Sequence, residues 1–332
     1  MASMKDVARL ADVSESTVSR VINKSIPVDE ATRKTVEEAI RKLNYKPNLL
    51  AKGLRIKSSQ IIGLVVPEIV HHTFSSFIQF IEESTFARGY GLIVGNHKDD
   101  PEIEEIFIDS LVRRHVDGII FSRVSDESRV MKIIARSQVP VVVIDRAAEK
   151  EELASVVLDN RKAGQLAGEH LVGLGHTRIG CISGPLKIPL CRERIAGLRD
   201  VLDRHGLSLP EDAVFEGDFK FESGIQGARQ ILLAHPEITA IWAQNDLMAV
   251  GAMKFFVQTG KTVPRDISLM GMDDIGLARM ISPALTTVSQ PFEDICERAV
   301  ELLLSLRQDD GQSPRKIVMD PGVVVRESTA AL

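Results

Sequence analysis

Apolar side chains recur at helical spacing in three successive segments of the first 46 residues. The apolar positions are Val7, Ala8, Leu10 and Ala11 in "MKDVARLADV", Val13, Val18, Val21 and Ile22 in "VSESTVSRVIN", and Ala31, Val36, Ala39, Ile40 and Leu43 in "EATRKTVEEAIRKLNY". Spacings of three and four residues place such side chains on one face of a helix. Ser14 and Asp29 are suitable N-caps for the second and third helices. The pattern predicts three short helices packed around a small core.

From Ile61 the pattern changes to short apolar runs separated by helical stretches. The runs are "IIGLVV", "GLIVG", "GIIF" and "VPVVVID" up to residue 145, and "RIGCIS", "AVFEG", "AIWAQ" and "ISLMGMD" from 178 to 273. Strands that alternate with helices are typical of parallel sheets covered on both faces. We predict an α/β core of two doubly wound parallel-sheet subdomains. Crossovers are expected near residues 160 and 290, with "KIVMDPGVVVRE" returning to the first half.

The charge is distributed unevenly between these two parts of the chain. Residues 1–58 contain 12 Lys or Arg and 7 Asp or Glu, whereas the remainder contains 29 and 39, and the whole chain carries −5. A small basic segment attached to a large acidic one is typical of a nucleic-acid-binding module joined to another domain. The length of 332 residues is sufficient for at least two domains.

The second predicted helix has an outer face of short polar side chains. In a helix-turn-helix, the second helix lies in the major groove with its N-terminal residues at the base edges. We therefore predict that Glu15, Ser16 and Arg20 contact bases, and Arg20 suits a guanine. The residues placed to contact phosphates are Thr17, Ser19, Asn23, Tyr45 and Asn48. On composition alone, an ordinary three-helix bundle with a solvated face is the alternative.

Polar and aromatic residues follow the predicted strands of the core. In open parallel sheets, ligands bind beyond the carboxyl ends of the strands. The predicted ligand-binding residues are His71, His72, Phe74, Asp145, Arg146, Phe219, Asn245, Asp273 and Gln290, together with Arg194 in "CRERIAG". Multidentate hydrogen-bonding groups and aromatic rings suit a polyol. Taken singly, each residue also fits a cap or a loop.

Several other classes of protein and site are disfavoured. Gly89, Gly91 and Gly95 in "GYGLIVG" do not fit a dinucleotide-binding motif, and the common hydrolase and nucleotide motifs do not occur, so we expect no enzyme. Three cysteines without a CxxC spacing predict no metal or cofactor. No long apolar run or signal peptide occurs, which favours a cytoplasmic protein over a transport-type sugar receptor.

The segments "MKDVARLADVSESTVSRVIN", "LNYKPN" and "LAKGLR" resemble the head of the lactose-repressor (LacI/GalR) family of transcription regulators, and the similarity extends over the whole chain. Within that family the chain looks most like its ribose-responsive members. The resemblance implies a helix-turn-helix domain (1–46), a hinge helix and linker (47–60) and an effector-binding and dimerisation core (61–332). In that core, the first subdomain would comprise about 61–160 and 291–325, and the second about 161–290.

The resemblance also implies partners and residue roles. A homodimer would bind a palindromic DNA operator and repress genes of carbohydrate uptake or catabolism. Hinge helices of two subunits would enter the minor groove, with Leu54 wedged between base steps and Lys52, Arg55 and Lys57 near phosphates. Relatives place effector contacts at positions matching Asp145, Arg146, Arg194, Phe219, Asn245, Asp273 and Gln290.

One segment departs from the pattern of the sugar-binding relatives. In "VHHTFSSF", His71, His72 and Thr73 stand where those relatives often have Asn, Pro and an aromatic residue. A larger, acidic or phosphorylated sugar therefore stays open as the effector, because the two histidines suit an anionic group. A purine-responsive regulator is the other alternative. The chain has no leucine-heptad tail, so we expect no coiled-coil tetramer.

Overall fold

The structure is a computed structural model that describes residues 2–23, 26–46, 58–124, 129–147, 153–307 and 316–332. The chain forms two compact units, Met1–Ser59 and Gln60–Leu332. We call them the head and the core. The predicted hinge contacts Asn48, Lys52, Leu54 and Arg55 lie outside the described residues, as does Lys57.

The head contains three helices, as the apolar pattern predicts. They are α1 (Met4–Ala11), α2 (Glu15–Asn23) and α3 (Glu30–Lys42). The N–H of Thr17 donates to Ser14 Oγ at 3.1 Å, and the N–H of Thr32 donates to Asp29 Oδ1 at 2.9 Å. Both predicted N-caps are therefore present. The buried core of the head consists of Val7, Ala8, Ala11, Val18, Val36 and Ala39.

Two residues of the predicted apolar stripes are exposed. Leu10 is 50% exposed, and Ala31 is also exposed. Successive residues of a helix are about 100° apart, so Ala31 lies about 140° from Val36 around α3. Leu10 likewise lies to one side of the stripe formed by Val7 and Ala11. Both predictions were wrong because spacing was judged pairwise rather than around the whole helix.

The core contains two six-stranded sheets. The first is wholly parallel, with the strand order β11-β5-β4-β3-β1-β2. Its strands are β1 (Ile61–Val66), β2 (Gly91–Asn96), β3 (Gly118–Phe121), β4 (Val141–Ile144), β5 (Ala154–Leu158) and β11 (Lys316–Met319). The helices of this first lobe are α4 (His72–Ala87), α5 (Pro101–Arg113), α6 (Val130–Arg136) and α12 (Phe292–Leu306).

The second sheet has the order β12-β10-β9-β8-β6-β7, and only β12 is antiparallel. Its strands are β6 (Ile179–Ser183), β7 (Val214–Glu216), β8 (Ala240–Ala243), β9 (Ser268–Asp273), β10 (Thr286–Ser289) and β12 (Gly322–Val324). The helices of this second lobe are α7 (Asn160–Gly173), α8 (Pro189–Arg204), α9 (Phe221–Ala234), α10 (Asp246–Gln258) and α11 (Gly276–Met280), with a short 3-10 turn at Glu211–Ala213. The central strands of both sheets are fully buried, which explains their continuous apolar runs.

The chain passes between the lobes three times. It crosses between β5 and α7, returns between β10 and α12, and crosses again between β11 and β12. Because β12 pairs antiparallel with β10, the prediction that all of "KIVMDPGVVVRE" returns to the first half was wrong for its second part. The crossing falls at Asp320 and Pro321 rather than near residue 325, where the proline lacks the N–H needed to continue the ladder of β11.

The predicted fold class is confirmed. An all-α head precedes a core of two doubly wound sheets whose strands are almost all parallel. The strand β5 was absent from the sequence prediction, because its run "ASVVL" is short and carries no turn signal of its own. Within the described ranges, no helix has the length and apolar character to cross a membrane.

Candidate functional site

A cavity of about 350 Å³ lies between the two lobes of the core, at the carboxyl ends of strands from both sheets. Nine of the ten predicted effector-binding residues line it, namely His71, Phe74, Asp145, Arg146, Arg194, Phe219, Asn245, Asp273 and Gln290. The tenth, His72, is exposed at the start of α4 and does not line the cavity. The next residue, Thr73, lines it instead, because one step along a helix turns a side chain by about 100°.

Asp273 ends β9 and receives hydrogen bonds from both lobes. Thr73 Oγ1, on the first lobe, donates to Asp273 Oδ2 at 2.8 Å. Gln290 Nε2 donates to Asp273 Oδ1 at 2.7 Å. Burial raises the pKa of Asp273, while Arg194 and these two donors act in the opposite direction. The backbone φ of 111° at Asp273 is rare for a residue with a side chain and is typical of a functional site.

Asn245 makes a second contact across the cavity. Its Oδ1 accepts the N–H of Met248 at 2.8 Å, and its Nδ2 donates to the carbonyl of Phe219 at 2.8 Å. The amide orientation is therefore fixed, and Nδ2 also lies 3.2 Å from His71 Nε2. Since an amide nitrogen only donates, His71 Nε2 accepts and the ring proton lies on Nδ1. Burial lowers the pKa of His71, in agreement with a neutral ring.

Arg194 is only 3% exposed, and the second lobe fixes its guanidinium. Its Nε donates to Asn160 Oδ1 at 2.8 Å, and its Nη1 donates to the carbonyl of Gln244 at 3.0 Å. Helices α7 and α8 pack unusually closely here, since a Cβ at Gly164 would overlap the carbonyl oxygen of Arg194. The glycine thus permits the approach that brings Asn160 to the guanidinium.

Asp145 and Arg146 follow β4 and form the first-lobe wall. Ser122 Oγ donates to Asp145 Oδ2 at 3.4 Å, a long bond, and Arg146 Nε lies 3.9 Å from the same oxygen. Arg146 also pairs with Asp99. Burial raises the pKa of Asp145, and the neighbouring arginines oppose this rise. Asp145 is thus a largely buried carboxylate, with 10% of its side chain exposed and weak protein partners, which favours it as an acceptor for a ligand hydroxyl.

Aromatic rings from both lobes complete the cavity. The ring of His71 lies 5.8 Å from that of Phe74 and 6.1 Å from that of Phe219, measured between centroids. The guanidinium of Arg146 lies 5.8 Å from the Phe74 centroid, within cation–π range. A side chain at Gly184 would overlap the Phe219 ring, so the glycine makes room for this aromatic residue.

The charged side chains that line the cavity almost balance. They are Glu68, Asp99, Asp145, Asp218 and Asp273 against Lys98, Arg146, Arg194 and Lys220. Arg146 is paired with Asp99, and Arg194 is bound by an amide and a carbonyl oxygen. The cavity therefore has no surplus of positive charge and suits a neutral, polar ligand better than a phosphorylated one.

The predicted DNA-contacting face lies on α2. Glu15, Ser16 and Arg20 are exposed, whereas Thr17 and Ser19 are half-buried. The hydroxyls of Ser16 and Thr17 lie 2.7 and 2.9 Å from Ser14 Oγ, so they belong to the cap as well as to the surface. Asn23 is the last residue of α2, and Tyr45 packs half-buried against the small core of the head.

Comparisons with known proteins match both units of this architecture. The family described as bacterial regulatory proteins, lacI family, matches residues 3–48, and the periplasmic binding protein-like domain matches residues 168–329. The HTH-type transcriptional repressor PurR of Aliivibrio salmonicida (strain LFI1238) is 35% identical over 100% of both chains. The ribose operon repressor of Escherichia coli (strain K12) is 36% identical over 99% of this chain and 100% of that protein. The chain belongs to the LacI family.

Solved structures of this family agree with that assignment. The lac repressor dimer bound to operator and the anti-inducer ONPF is 31% identical, covers 99% of each chain and has a TM-score of 0.90. The transcriptional regulator CelR in complex with cellobiose is 29% identical over 99% of this chain and 100% of that one, with a TM-score of 0.76. This LacI-family protein is therefore a DNA-binding transcription regulator with an effector-binding core. The curated relatives named above are repressors rather than enzymes.

Sequence reasoning missed several residues that line or support the cavity. Gln244 directly precedes Asn245 after β8, and Asp99 lies in the loop after β2. Both follow strand ends, so the rule that found the other residues applies to them equally. Asn160 carries no such signal, since it acts by binding Arg194 from a neighbouring helix.

Proposed function

We propose that this protein represses genes of carbohydrate uptake or catabolism and that a neutral sugar in the cavity between the lobes controls its DNA binding. The observation that carries the proposal is that each wall of the cavity presents a carboxylate and an arginine, namely Asp145 and Arg146 on the first lobe and Asp273 and Arg194 on the second. Its relatives support it, since they include a regulator in complex with cellobiose, a repressor dimer bound to operator and a ribose operon repressor. We further propose a homodimer on a palindromic operator, in the cytoplasm, without enzymatic activity.

A sugar matches the chemistry of the lining residues. Each sugar hydroxyl both donates and accepts, so carboxylates can accept from it while guanidinium and amide groups donate to it. Asp145 and Asp273 supply the carboxylates, Arg146 and Arg194 the guanidinium groups, and Asn245 the amide. The C–H face of a sugar packs against aromatic rings, a role for Phe74 and Phe219. The balanced charge favours a neutral sugar over an acidic or phosphorylated one.

The DNA contacts are proposed from the position of α2. Glu15, Ser16 and Arg20 would contact base edges, because they are exposed near the helix N-terminus and along its outer face. Thr17, Ser19, Asn23 and Tyr45 would contact phosphates. The roles of Asn48, Lys52, Leu54 and Arg55 in the hinge stay proposals that rest on resemblance to the family alone.

A purine is the second candidate effector. Several curated relatives at 35–37% identity are PurR repressors. The rings of Phe74 and Phe219 would flank a purine, but such a ligand offers fewer hydroxyl donors to two buried carboxylates. The lining residues therefore favour a sugar, whereas the PurR relatives favour a purine.

A thermal-shift screen of the full-length protein tests the proposal. The panel comprises D-ribose, D-fructose, D-glucose, D-galactose, D-gluconate, D-ribose 5-phosphate, hypoxanthine and guanine. A ligand at 100 times its Kd stabilises the folded state by about 2.7 kcal/mol. We expect a neutral sugar to raise Tm, and the Asp145→Ala variant to lose this response. Stabilisation by a purine alone would replace the sugar by the second candidate, and a response retained in Asp145→Ala would remove the cavity from the proposal.

A further inference from the structure

A closed ring of polar contacts supports the first-lobe wall of the cavity. The N–H of Asp99 donates to His97 Nδ1 at 3.2 Å, and His97 Nε2 donates to the carbonyl of Ser122 at 3.0 Å. Ser122 Oγ donates to Asp145 Oδ2, which lies 3.9 Å from Arg146 Nε. Arg146 in turn donates to Asp99 and closes the ring. Its five members come from three strand ends, since His97 and Asp99 follow β2, Ser122 follows β3, and Asp145 and Arg146 follow β4.

His97 connects these strand ends across the sheet. In the strand order, β1 lies between β2 and β3, so the residues after β2 and β3 are not neighbours along a ladder. The N–H groups of His97 and Ser122 donate to Val66 and Val65 of β1 at 3.0 Å each. The imidazole then spans the end of β1 and joins the loop after β2 to the residue after β3. Asp145, which follows β4, is the next contact in the ring.

The hydrogen bonds of His97 define one tautomer. Nδ1 accepts a backbone N–H and Nε2 donates to a carbonyl, so the ring is neutral with its proton on Nε2. His97 is fully buried. Burial lowers the pKa of His97, and the nearby guanidinium of Arg146 acts in the same direction, against the carboxylates of Asp99 and Asp100 and the hydrogen bond to Ser122. A proton added at Nδ1 would face the N–H of Asp99 and break the ring.

The ring also holds a strained turn. Lys98 and Asp99 have φ values of 52° and 57°, a left-handed conformation that residues other than glycine adopt rarely. The N–H of Asp100 donates to the carbonyl of His97 at 2.8 Å, and Asp100 then caps α5. The imidazole and the carbonyl of His97 therefore both hold the turn that presents Asp99 to Arg146. Two adjacent residues in this conformation persist only where the surroundings fix them.

We propose that His97 is a positioning residue for effector recognition, which fixes Asp99 and, through it, Arg146 and Asp145. His97 does not line the cavity itself. The inference rests on the proposed function, in which Asp145 and Arg146 bind the effector. A supporting residue of this kind restricts the conformations of the binding side chains before the ligand arrives, which lowers the entropic cost of binding.

Three substitutions separate the two hydrogen bonds of the ring. His97→Asn retains an acceptor near the position of Nδ1, His97→Gln retains a donor near that of Nε2, and His97→Phe retains neither. His176→Phe is the matched control, because His176 is also buried and hydrogen-bonded, to Thr239, Ser268 and Ala330, but does not line the cavity. If His97 had only a structural role, His97→Phe would resemble His176→Phe: Tm would fall, but the folded protein would bind the effector with unchanged affinity.

Isothermal titration of the full-length variants uses the compound of the eight-member panel that stabilises the wild type most. We expect His97→Phe to weaken binding about tenfold, the scale on which loss of a supporting residue lowers affinity at metal sites. His97→Asn and His97→Gln should weaken it less, and His176→Phe should bind as the wild type does. The double variant with His97→Phe and Asp99→Ala should bind the effector less than twofold more weakly than the weaker-binding single variant, because both substitutions act on Arg146.

Two affinity results would overturn the inference. One is an unchanged effector affinity in His97→Phe together with a weakened affinity in Asp145→Ala. The other is a loss of affinity in the His97→Phe, Asp99→Ala double variant that equals the product of the two single losses. Normal affinity in Asp145→Ala would instead reject the proposed function, so the two failures are distinguishable. A ligand-free check uses ¹⁵N-histidine NMR of the full-length protein, where we expect the Nε2–H tautomer of His97 at pH 7. The Nδ1–H tautomer would contradict the ring directly.

Discussion

Arg20 in the head and Arg194 in the core are both predicted to bind a partner, yet their surroundings differ completely. Arg20 is exposed on α2. Arg194 is 3% exposed, and Asn160 and Gln244 hold its guanidinium from two directions. In the core, the fold itself orients the binding groups before a ligand arrives. In the head, the fold presents a helix face, and the DNA determines the final geometry of its side chains.

This difference predicts where substitutions act. A residue of the core that is fixed by hydrogen bonds contributes to effector affinity, because its orientation has no further entropic cost on binding. A flexible residue on α2 contributes to discrimination between DNA sequences, because it gains its partners only on the correct site. Each substitution should therefore change one kind of binding and leave the other unchanged.

The largest expected effect is that of Asp273→Ala on effector affinity. A hydrogen bond to a charged group contributes about 1.5 to 3 kcal/mol, so affinity for a sugar should fall about 10- to 150-fold. For a purine, Phe219→Ala would have the larger effect, because stacking would dominate. Isothermal titration of both variants makes the comparison, with the exposed Asp203→Ala as control. A greater loss in Phe219→Ala than in Asp273→Ala would favour the purine.

The second prediction concerns the head. Arg20→Ala should lower the ratio of specific to non-specific DNA affinity, because a bidentate base contact contributes about 1 to 3 kcal/mol of discrimination. Arg33→Ala, on the exposed face of α3, removes a similar charge and should lower affinity for all DNA alike. Fluorescence anisotropy with a selected site and a random duplex measures the ratio. An unchanged ratio in Arg20→Ala would remove Arg20 from the base-contacting residues.

A smaller effect is expected for the contact between the lobes. Thr73→Val keeps the shape of the side chain but removes the hydroxyl that donates to Asp273. A neutral donor of this kind contributes about 0.5 to 1.5 kcal/mol, so effector affinity should fall about 2- to 10-fold. Thr85→Val is the control, because Thr85 is buried in the same helix and donates only within it. Equal effector affinities in the two variants would show that the contact between the lobes does not support effector binding.

The smallest expected effect is a pH dependence at His71. Burial between the lobes lowers the pKa of His71 from its ordinary value of 6.5, and its neutral Nε2 accepts from Asn245. Asp145 opposes this shift, while Arg146 and His72 reinforce it. Protonation of Nε2 would remove the acceptor for Asn245, so we expect effector affinity to be full well above pH 6.5 and to fall as the pH drops below that value.

His71→Gln tests this assignment, since glutamine retains an acceptor for Asn245 and does not titrate. Its effector affinity should vary less between pH 8 and pH 6.0 than that of the wild type. A variant with the wild-type pH profile would assign the dependence to another group.

Much of this arrangement follows from sequence because it obeys local rules. Strand ends in parallel sheets converge, so residues such as Asp145 and Asn245 were predictable from their position after an apolar run. The exception, His72, shows the limit of that rule, because a helix begins there and turns the side chain away from the cavity. The contacts of His97 were not predictable, since they join three strand ends through a register that only the folded sheet defines.

Operator binding by the Asp145→Ala variant tests the central claim most directly. The claim is that the head binds DNA and that the cavity of the core controls this binding through an effector. Anisotropy of a site selected by the wild-type protein, titrated with the panel sugar that stabilises the wild type most, measures both properties in one experiment. Asp145→Ala should bind the site with wild-type affinity and lose the response to the sugar. A variant that retains the full response would contradict the claim.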